Sequence, residues 1–550
     1  MAFTFILMHD STSFQKIVKD YLEESCQQHP VLATSLGFHQ WDDQLPQMDP
    51  QFLQRNAHSL KNFEKRLTQE VAFEKLSQDE QMDYLAMAGQ IQSELLDLEK
   101  FRWHEKLPSV YLDPGFYGIF LLLIQDFAPL PERAPKILGR LQQLPRLLHE
   151  GSQQIQKAPR LYIEIGIEMT LNGRLFLKQV IPALAQQVPQ LSSELESALK
   201  EANLALDAFL AFQEVMKETS RETFAAGETL FLEKLRAEFQ MEISCQSLVE
   251  QAEEAIAQIR EELEKTKRQL NHNGNLTELF SSLKKQTPAQ DQILKRYQEM
   301  VQQAKECISK NYLAPLSPKE SLEVVPTPEF ERATTPYAAY VPPAPFDSLQ
   351  KGFFWVTPVD EAASQAEKLQ QLQGHCLAGI PVTVAHEAYP GHHLQLSFTN
   401  QLSSLFRRAN SNTMACEGWA HYCEQLMDEV GFYQEISSRI FYLRDALWRA
   451  CRVIVDVGLH TQGMSVGDAI HFLIEEAFLE PANAVAEVKR YTLSPTQPLC
   501  YLIGKQEILR LREEYKKKRG SSFTLYDFHE RFLKASSLPL PLIRRELLEE

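Results

Sequence analysis

The sequence predicts a mainly α-helical protein with a small antiparallel β element. Apolar residues recur at intervals of three and four over most of residues 1–310, which is the period of an α-helix. A proline-rich segment, Tyr312 to Pro358, interrupts this period and holds nine of the 29 prolines. After a short apolar run beginning at Ile380, the sequence returns to a helical pattern. These three observations together predict the fold class.

The composition of the 550-residue chain excludes several classes of function. A formal net charge of −17 disfavours a main role in binding nucleic acid or anionic membranes. No apolar run approaches the ~20 residues that a membrane span needs. Eight scattered cysteines without C-x-x-C pairs are typical of reduced thiols in a cytoplasmic protein. The N-terminal sequence M-A-F-T-F-I-L-M-H-D lacks a basic region and a small-residue cleavage site, so we expect no signal peptide.

The first 310 residues are predicted to form a succession of helices joined by turns. The helices are expected at residues 12–40 with an end at Gly37, at 50–104, at 134–156 and, almost unbroken, at 160–310. We expect a loop from Pro108 to Phe120, where glycine and aromatic residues replace the helical period. Leu191 to Leu270 is rich in Ala, Glu, Leu, Gln and Lys, which favours a packed helical hairpin over a free coiled-coil arm.

Three short runs in the proline-rich segment are predicted to be strands. They are Leu322 to Pro326, Ala338 to Pro342 and Gly352 to Pro358. We expect a small antiparallel sheet just before the histidine-rich segment described next, where an exposed strand edge could hold an extended peptide by backbone pairing. The alternative is a proline-rich connector without a role in ligand binding.

Three histidines and a glutamate lie within eight residues in the sequence H-E-A-Y-P-G-H-H, from His386 to His393. Burying these polar groups costs free energy unless they bind something, and a divalent metal ion is the simplest partner. The zinc-protease pattern H-E-x-x-H puts two histidines four residues apart on one helix face, with the glutamate as general base. Here the next histidines come six and seven residues after the first, so a regular helix could not bring either to the same ion.

A break in the helix would solve this spacing problem. Pro390 lacks the N–H that would bond to the carbonyl of His386, and Gly391 tolerates unusual backbone angles. We therefore expect this stretch to bulge out of the helix and to return a later histidine to His386. A two-residue insertion makes His392 the ligand and a three-residue insertion makes it His393. We favour His392 because the smaller bulge distorts the helix less.

A third metal ligand is expected from a second helix, in the sequence A-C-E-G-W-A-H-Y-C-E-Q-L-M that starts at Ala415. Glu417 is the candidate. Glu424 lies seven residues later on the same face and is the alternative, either as a ligand or as a group that orients a ligand histidine. Two histidines and a glutamate leave a position open for water, as in catalytic zinc sites. We therefore predict one Zn²⁺ per chain, with Glu387 as the general base.

A buried helix with one polar stripe is predicted from Leu447 to His460. Arg449, Arg452, Asp456 and His460 recur along it at spacings of three and four. Because buried charges need partners, we expect Arg452 to pair with Asp456 and Asp456 to orient His460. His460 would then donate to the oxyanion or the substrate, and Asp456 would be a further candidate for a group around the metal. The alternative is a structural ion-pair network.

Several motifs resemble those of one bacterial family. H-E-A-Y-P-G-H-H-L-Q followed by E-G-W-A-x-Y-x-E resembles DUF885, a family of unknown function that is grouped with zinc metallopeptidases of the gluzincin type. Arg452 to His460 and Arg490 to Gly504 match further motifs, and His29 to Gly37 extends the resemblance over nearly the whole chain. The chain reads P-T-Q at residues 495–497, where the family usually has P-G-Q. This departure bears on the local turn more than on the chemistry.

The resemblance implies a zinc-dependent hydrolase with a large, two-lobed, metallopeptidase-like helical fold and a deep central cleft. Tyr501 is then the predicted donor to the oxyanion, with Tyr491 in reserve. Arg512 or Arg490 would grip the C-terminal carboxylate of a peptide if the protein is a carboxypeptidase. Short peptides are the expected substrates, because a deep cleft excludes folded chains.

We expect three regions along the chain: a helical region at residues 1–310, a small β and proline-rich element at 311–360, and a catalytic helical region at 361–550. The first and last are expected to form one integrated body. Two other functions would use the same residues. One is a helical binding or scaffold protein that keeps a vestigial metal site, and the other is a zinc amidase or esterase that acts on a non-peptide substrate.

Overall fold

Helices carry most of the chain in the computed structural model, which describes residues 13–318, 320–328, 332, 335 and 337–549. The predicted mainly α-helical class is therefore confirmed. The N-terminal decapeptide on which the absence of a signal peptide was argued lies outside the described residues. The chain forms two compact units: unit 1 is Met1–Ala225 with Ala344–Leu349, and unit 2 is Ala226–Pro343 with Gln350–Glu550.

The described part of unit 1 is built from helices. They are α1 (Ser13–Gln28), α2 (Pro30–Leu36), α3 (Pro50–Glu70), α4 (Gln78–Leu96), α5 (Ser109–Ile124), α6 (Leu130–Gln154), α7 (Arg160–Gln187) and α8 (Ser192–Thr219). The helix predicted for residues 12–40 is divided because Pro30 starts a new helix. Gly37, with a φ of 94°, ends that helix as predicted. Ser77 and Glu80 form a capping box that fixes the start of α4.

The loop predicted from Pro108 to Phe120 is instead helix α5, which contains Pro114. Its glycines mark places where a neighbouring helix or side chain comes close to the backbone. A Cβ at Gly115 would lie 2.6 Å from Leu144 Cδ1, and one at Gly118 would lie 2.9 Å from Val31 Cγ2. Packing in the core of unit 1 therefore overrides the weak helix propensity of these residues.

The described part of unit 2 contains a small sheet and more helices. The strands are β1 (Ser321–Pro326), β2 (Ala338–Val341) and β3 (Lys351–Val356). The helices are α9 (Glu228–Phe239), α10 (Cys245–Gln269), α11 (Leu276–Lys284), α12 (Ile293–Lys310), α13 (Gln365–Gly374), α14 (Ile380–Glu387), α15 (His392–Thr399), α16 (Leu405–Ala409), α17 (Thr413–Glu429), α18 (Ile436–Thr461), α19 (Val466–Ala477), α20 (Pro481–Leu493), α21 (Cys500–Arg519), α22 (Leu525–Lys534) and α23 (Leu540–Leu548).

The three predicted strands are present, but their pairing is only partly as predicted. The strand order is β1-β3-β2. β2 pairs antiparallel with β3, as expected, whereas β1 pairs parallel with β3, with Val324 opposite Phe354. The sheet is therefore mixed. The strands alternate in direction along the chain, but β3 lies between β1 and β2, so proximity in sequence did not fix the strand order.

The packed hairpin predicted from Leu191 to Leu270 is not formed. The chain is non-helical at residues 220–227, and α8 packs against α6 and α7 within unit 1. α10 packs instead against α18 within unit 2. The apolar period correctly identified a buried face on each helix, but it carries no information about which helix covers that face.

Five helices of unit 2 position the candidate site: α14, α15, α17, α18 and α21. A Cβ at Gly418 would lie 2.7 Å from Gly504 Cα, so the backbones of α17 and α21 are in direct contact. α17 also packs against α14, and α18 packs against both α14 and α21. The packing of α17 against α14, α18 and α21 therefore fixes the position of α17 beside α14.

All eight cysteines are unpaired thiols, and seven of them are buried. The regions predicted from composition, 1–310, 311–360 and 361–550, have different boundaries from the two compact units. Among the described residues no single helix has the length and apolar character to cross a membrane, although Gln78–Glu105 and Ser109–Ile124, a pair bent by 96°, pass that test together.

Candidate metal centre

The sequence H-E-A-Y-P-G-H-H is broken between two helices. α14 ends at Glu387, and α15 begins at His392. Between them Ala388 leaves helical geometry with a ψ of −90°, and the Tyr389–Pro390 peptide bond is cis. We call residues 388–391 the kink. The predicted break of the helix is therefore present.

Gly391 lets the kink fold back on the end of α14. A Cβ at this position would lie 1.8 Å from the carbonyl oxygen of His386 and 2.5 Å from that of Ala385. No side chain fits there, so only glycine allows the return. The result is that the rings of His386 and His392 lie 4.9 Å apart, centroid to centroid, and nearly perpendicular.

Glu417, in the second turn of α17, completes a group of three possible metal ligands. Its Oε2 lies 3.6 Å from His386 Nε2 and 3.4 Å from His392 Nε2. One donor atom from each of the three residues lies within 4.8 Å of the other two. For metal–ligand bonds of 2.0–2.2 Å, the ligands of a tetrahedral zinc ion are separated by roughly 3.3–3.6 Å. The donor set and its spacing therefore fit Zn²⁺.

The kink is also fixed to α17, the helix that carries Glu417. Trp419 is fully buried, and its Nε1–H donates to the carbonyl oxygen of Pro390 at 2.9 Å. Its indole stacks on Phe532 at 5.1 Å. One residue therefore couples the backbone beside His392 to the helix that supplies the carboxylate.

Glu424 lies on the other side of His386 and contacts the ring nitrogen that faces away from Glu417. Its Oε1 is 2.7 Å from His386 Nδ1 and 3.1 Å from an Nη of Arg449. A proton on Nδ1 that is donated to Glu424 leaves the lone pair of Nε2 directed at Glu417 and His392. Of the two roles predicted for Glu424, the geometry matches the group that orients a ligand histidine.

The carboxylates give this site a negative field. Burial alone would lower the pKa of His386, but Glu417 and Glu424 raise it to about 10. Burial would likewise raise the pKa of both carboxyl groups. The pKa of Glu417 is instead held well below its usual range by His386 and His392, and that of Glu424 by Arg449 and the neighbouring histidines. Such a site favours a bound cation.

Glu387 lies at the end of α14 and is partly exposed. Its charge contributes to raising the pKa of His386 and that of Tyr340 on β2. The predicted general base is therefore beside the three-residue group and is not one of its members.

Tyr501, in the first turn of α21, is next to the same group. Its ring is nearly parallel to that of His386, with centroids 6.4 Å apart. The guanidinium of Arg452 lies 4.5 Å from the Tyr501 ring and 4.2 Å from the Trp448 ring, so it is held between two aromatic faces. Burial raises the pKa of the Tyr501 hydroxyl, and the Glu417 charge adds to this effect. This hydroxyl therefore remains a proton donor at neutral pH.

His393, the alternative ligand, is directed away from the group of three. Its Nε2 lies 2.7 Å from Glu320 Oε2, and its Nδ1 lies 3.1 Å from the hydroxyl of Tyr340. The two-residue insertion, which brings His392 back, is the one found in the structure.

The polar stripe on α18 has different partners from those predicted. Arg452 pairs with Glu487 at 3.3 Å rather than with Asp456. Asp456 accepts the backbone N–H of Thr496 at 3.1 Å, and burial raises its pKa well above the usual range. Burial therefore disfavours the charged form of Asp456 that the predicted pairing with Arg452 requires.

His460 is held by the backbone of α20. Its Nε2 lies 3.0 Å from the carbonyl oxygen of Tyr491 and 3.8 Å from Asp456 Oδ1. The residue is 1% exposed, and burial lowers its pKa to about 4. These contacts match the structural alternative for His460 rather than a role as donor to a substrate.

The arginines predicted to bind a substrate carboxylate are paired with other side chains. Arg512 binds both carboxylate oxygens of Glu429, at 2.8 and 3.2 Å, and also the Tyr422 hydroxyl. Arg490 binds Glu487 at 2.9 Å and Gln497 at 2.8 Å. Tyr491, the reserve oxyanion donor, is fully buried. The structure therefore brings Tyr501, and not these residues, to the group of three.

Two contributors to the site were not identified from the sequence. Glu320 lies in the proline-rich segment, far along the chain from His393, and no spacing rule connects the two. The indole of Trp419 belongs to the motif E-G-W-A, but its hydrogen bond to Pro390 depends on the packing of α17 against the kink.

The chain is similar to one family of bacterial proteins and to two solved structures. A family model described as "Bacterial protein of unknown function (DUF885)" matches residues 30–547. A solved structure named "putative lipoprotein of unknown function", from Shewanella oneidensis, is 26% identical with a TM-score of 0.81, over 97% of this chain and 99% of that one. A "putative lipoprotein" from Colwellia psychrerythraea shares the fold, with 18% identity and a TM-score of 0.84 over 98% of each chain. No curated protein is significantly similar to the chain.

Proposed function

This chain belongs to DUF885, a family of bacterial proteins of unknown function, and we propose that it is a zinc-dependent hydrolase that cleaves short peptides. One observation carries the proposal: two imidazole nitrogens and a carboxylate oxygen lie within 4.8 Å of one another, beside a further glutamate. His386, His392 and Glu417 would hold the metal. Two histidines and one carboxylate are the protein ligands of several catalytic zinc sites.

A zinc ion bound there would lower the pKa of water toward about 7 and polarise the carbonyl group of the substrate. Glu387 would remove the proton from the attacking water and deliver it to the leaving amine. The Tyr501 hydroxyl would donate a hydrogen bond to the carbonyl oxygen as that oxygen gains negative charge. Arg452 would hold the Tyr501 ring in place through the cation–π contact described above.

Peptides are proposed as substrates because the motifs resemble those of zinc peptidases. The pairing of Arg512 with Glu429 and of Arg490 with Glu487 and Gln497 gives no support to a carboxylate grip, so exopeptidase action is not part of the proposal. We propose the cytoplasm as the location, on the basis of the eight unpaired thiols. The names of the two similar structures, which are lipoproteins by those names, do not support a cytoplasmic location.

The proposal is tested by the metal content and the activity of the purified protein. We expect about one zinc per chain and cleavage of members of a mixed peptide library, read by mass spectrometry. Glu387→Gln is expected to keep its zinc and to lose about 10²–10⁴-fold in kcat/KM, because it removes the general base without removing a ligand.

Glu475→Gln is the matched control, because Glu475 is an exposed glutamate on α19. It should retain both zinc and activity. Unchanged activity in Glu387→Gln would remove the proposed base. Protein that binds zinc but cleaves no peptide in the library would contradict the peptidase proposal.

A further inference from the structure

Glu320 is a buried carboxylate in the segment between α12 and β1, and its side chain is 3% exposed. Lys305 donates to its Oε1 at 2.6 Å. Its Oε2 accepts two hydrogen bonds, from the Tyr389 hydroxyl at 2.6 Å and from His393 Nε2 at 2.7 Å. Both oxygens are therefore engaged, and one of them serves two donors.

The two donors on Oε2 flank the same turn of backbone. Tyr389 comes just before Pro390, and His393 comes just after the candidate ligand His392. Both side chains are buried. A single carboxylate oxygen therefore binds both Tyr389 and His393, the residues on either side of Pro390, Gly391 and His392.

The two ring nitrogens of His393 have separate partners. Nδ1 lies 3.1 Å from the hydroxyl of Tyr340 on β2. An ionised Glu320 can only accept, so His393 Nε2 donates to it, while the Tyr340 hydroxyl is the partner of Nδ1. β3 also packs tightly here, because a Cβ at Gly352 would lie 3.1 Å from His393 Nδ1.

The charge state of Glu320 agrees with this arrangement. Burial alone would raise its pKa, but the hydrogen bonds from His393, Lys305 and Tyr389 lower the pKa to about 2. The side chain is therefore a carboxylate at neutral pH and can accept all three hydrogen bonds. An amide in its place would offer one acceptor oxygen instead of two.

We propose that Glu320 is a positioning residue for the metal centre: by binding Tyr389 and His393 it holds the intervening backbone in the one shape that presents His392 to Glu417. Trp419 holds the same backbone from the side of α17, through the Pro390 carbonyl. This inference rests on the proposed zinc site, and it assigns to Glu320 a role in metal affinity that it exerts without touching the ion.

The test compares Glu320→Gln with Glu323→Gln. Glu323 lies on β1, is exposed and pairs with Lys351 at the surface, so its variant controls for loss of a glutamate in the same segment. The zinc dissociation constant is measured for the whole protein by competition with a chelator. We expect Glu320→Gln to bind zinc about tenfold more weakly or worse, the lower end of the effect of residues around metal ligands, and Glu323→Gln to match the wild-type protein.

A second readout separates positioning from general stabilisation. The visible absorption of the Co²⁺-loaded protein depends on the geometry of the ligands. We expect this spectrum to change in Glu320→Gln and to stay the same in Glu323→Gln. Equal zinc affinity and an unaltered spectrum in Glu320→Gln would overturn the inference while leaving the zinc site intact. A wild-type protein that binds no zinc would overturn the proposed function, and the inference with it.

Tyr389→Phe decides the question if Glu320→Gln does not fold. It removes one of the two donors to Oε2 and keeps the ring, so a weaker but measurable loss of zinc affinity is expected. Tyr515→Phe is its control, since it deletes a comparable hydrogen bond from a tyrosine hydroxyl, to Asp527 at 2.5 Å, in another part of unit 2. Equal zinc affinity in both tyrosine variants would overturn the inference.

Discussion

At the scale of single residues, Thr496 holds a backbone conformation that β-branched residues avoid. Its φ is +73°, and the residue is fully buried. In this region the Cβ crowds the following carbonyl oxygen, which costs a non-glycine residue roughly 1–2 kcal/mol. The P-G-Q motif that residues 495–497 resemble has glycine at this position. The carboxyl group of Asp456, which accepts the Thr496 N–H, holds the turn in spite of this cost.

Replacing Thr496 by Gly is expected to stabilise the protein. The gain is the relieved strain minus the extra chain entropy of glycine in the unfolded state, or about 0.5–1 kcal/mol in the free energy of unfolding. Urea denaturation followed by circular dichroism measures it. Thr492→Gly, in helix α20, is the control and should destabilise by about 1 kcal/mol or more, because it loses a buried side chain as well as helix propensity. A loss of stability in Thr496→Gly would show that the side chain contributes more than the strain costs.

The identity of the candidate ligands could be predicted at this scale because local chemistry determines it. Pro390 removes a backbone donor and Gly391 permits the close return of the chain, so together they favour a break between His386 and His392. The predicted pairing of Arg452 with Asp456 was wrong, because Glu487 and the Thr496 N–H, both outside this helix, bind these side chains instead. Glu320 could not be found at all, since nothing in its own neighbourhood distinguishes it from other acidic residues.

At the scale of secondary-structure elements, the kink between α14 and α15 depends on the absence of a side chain at residue 391. Gly391→Ala would put a methyl group against the carbonyl oxygens of His386 and Ala385, and neither backbone atom can move without disturbing α14. We expect the free energy of unfolding to fall by about 1–3 kcal/mol, because the backbone of the kink must move away from α14. We expect zinc binding to weaken for the same reason. Differential scanning fluorimetry with and without zinc measures both effects.

Gly467→Ala provides the matched comparison for Gly391→Ala. Gly467 lies in α19, and the nearest atom to an added Cβ there, Ser465 Oγ, is at an ordinary contact distance of 3.7 Å. Alanine should stabilise that helix by about 0.5–1 kcal/mol and leave zinc binding unchanged. If Gly391→Ala behaved like Gly467→Ala, the close approach of the kink to α14 would not be required for the site.

Elements were predicted well where a periodic pattern was long and poorly where packing decided the outcome. Helix α6 follows from its apolar stripe, and the second half of α18 follows from a buried run with one polar stripe. The helix α5 did not, because Gly115 and Gly118 are usually read as helix breakers and here allow close packing. The parallel pairing of β1 with β3 was missed because consecutive strands are not always neighbours, and here β3 lies between β1 and β2.

At the scale of the whole molecule, His39 binds a segment of unit 1 that is distant in the sequence, residues 344–349. Its ring stacks on Phe127, with centroids 3.6 Å apart. Nδ1 lies 2.9 Å from Asp42, and Nε2 lies 2.9 Å from Asp347, which belongs to residues 344–349. Burial alone would lower the pKa of His39, but the two carboxylates raise it to about 9. The imidazolium is therefore the form that holds both aspartates.

This pair of contacts predicts a pH dependence of stability. The pKa of His39 is about 9 in the folded protein and about 6.5 in the unfolded chain, so its contribution is complete below pH 6.5 and is lost as the pH rises through 9. His39→Gln should cost about 2 kcal/mol at pH 6 and much less at pH 9.5. Urea unfolding at a series of pH values measures the difference between the variant and the wild-type protein.

His58→Gln is the control for this experiment. His58 is exposed on α3, so its replacement should leave the pH profile of the wild-type protein unchanged. A constant cost of His39→Gln between pH 6 and 9.5 would mean that the two aspartates bind the neutral ring as well as the charged one.

The path of the chain through residues 344–349 also bears on how the protein is made. Phe346 stacks on Phe38 at 4.6 Å, and its N–H donates to the carbonyl oxygen of Leu36 at 2.9 Å, so unit 1 takes part of its packing from beyond β2. On the ribosome, the N-terminal unit cannot reach its final state when residue 225 emerges. It stays incomplete until residue 349 has been translated, while α9 to α12 and two strands of the other unit are already being synthesised.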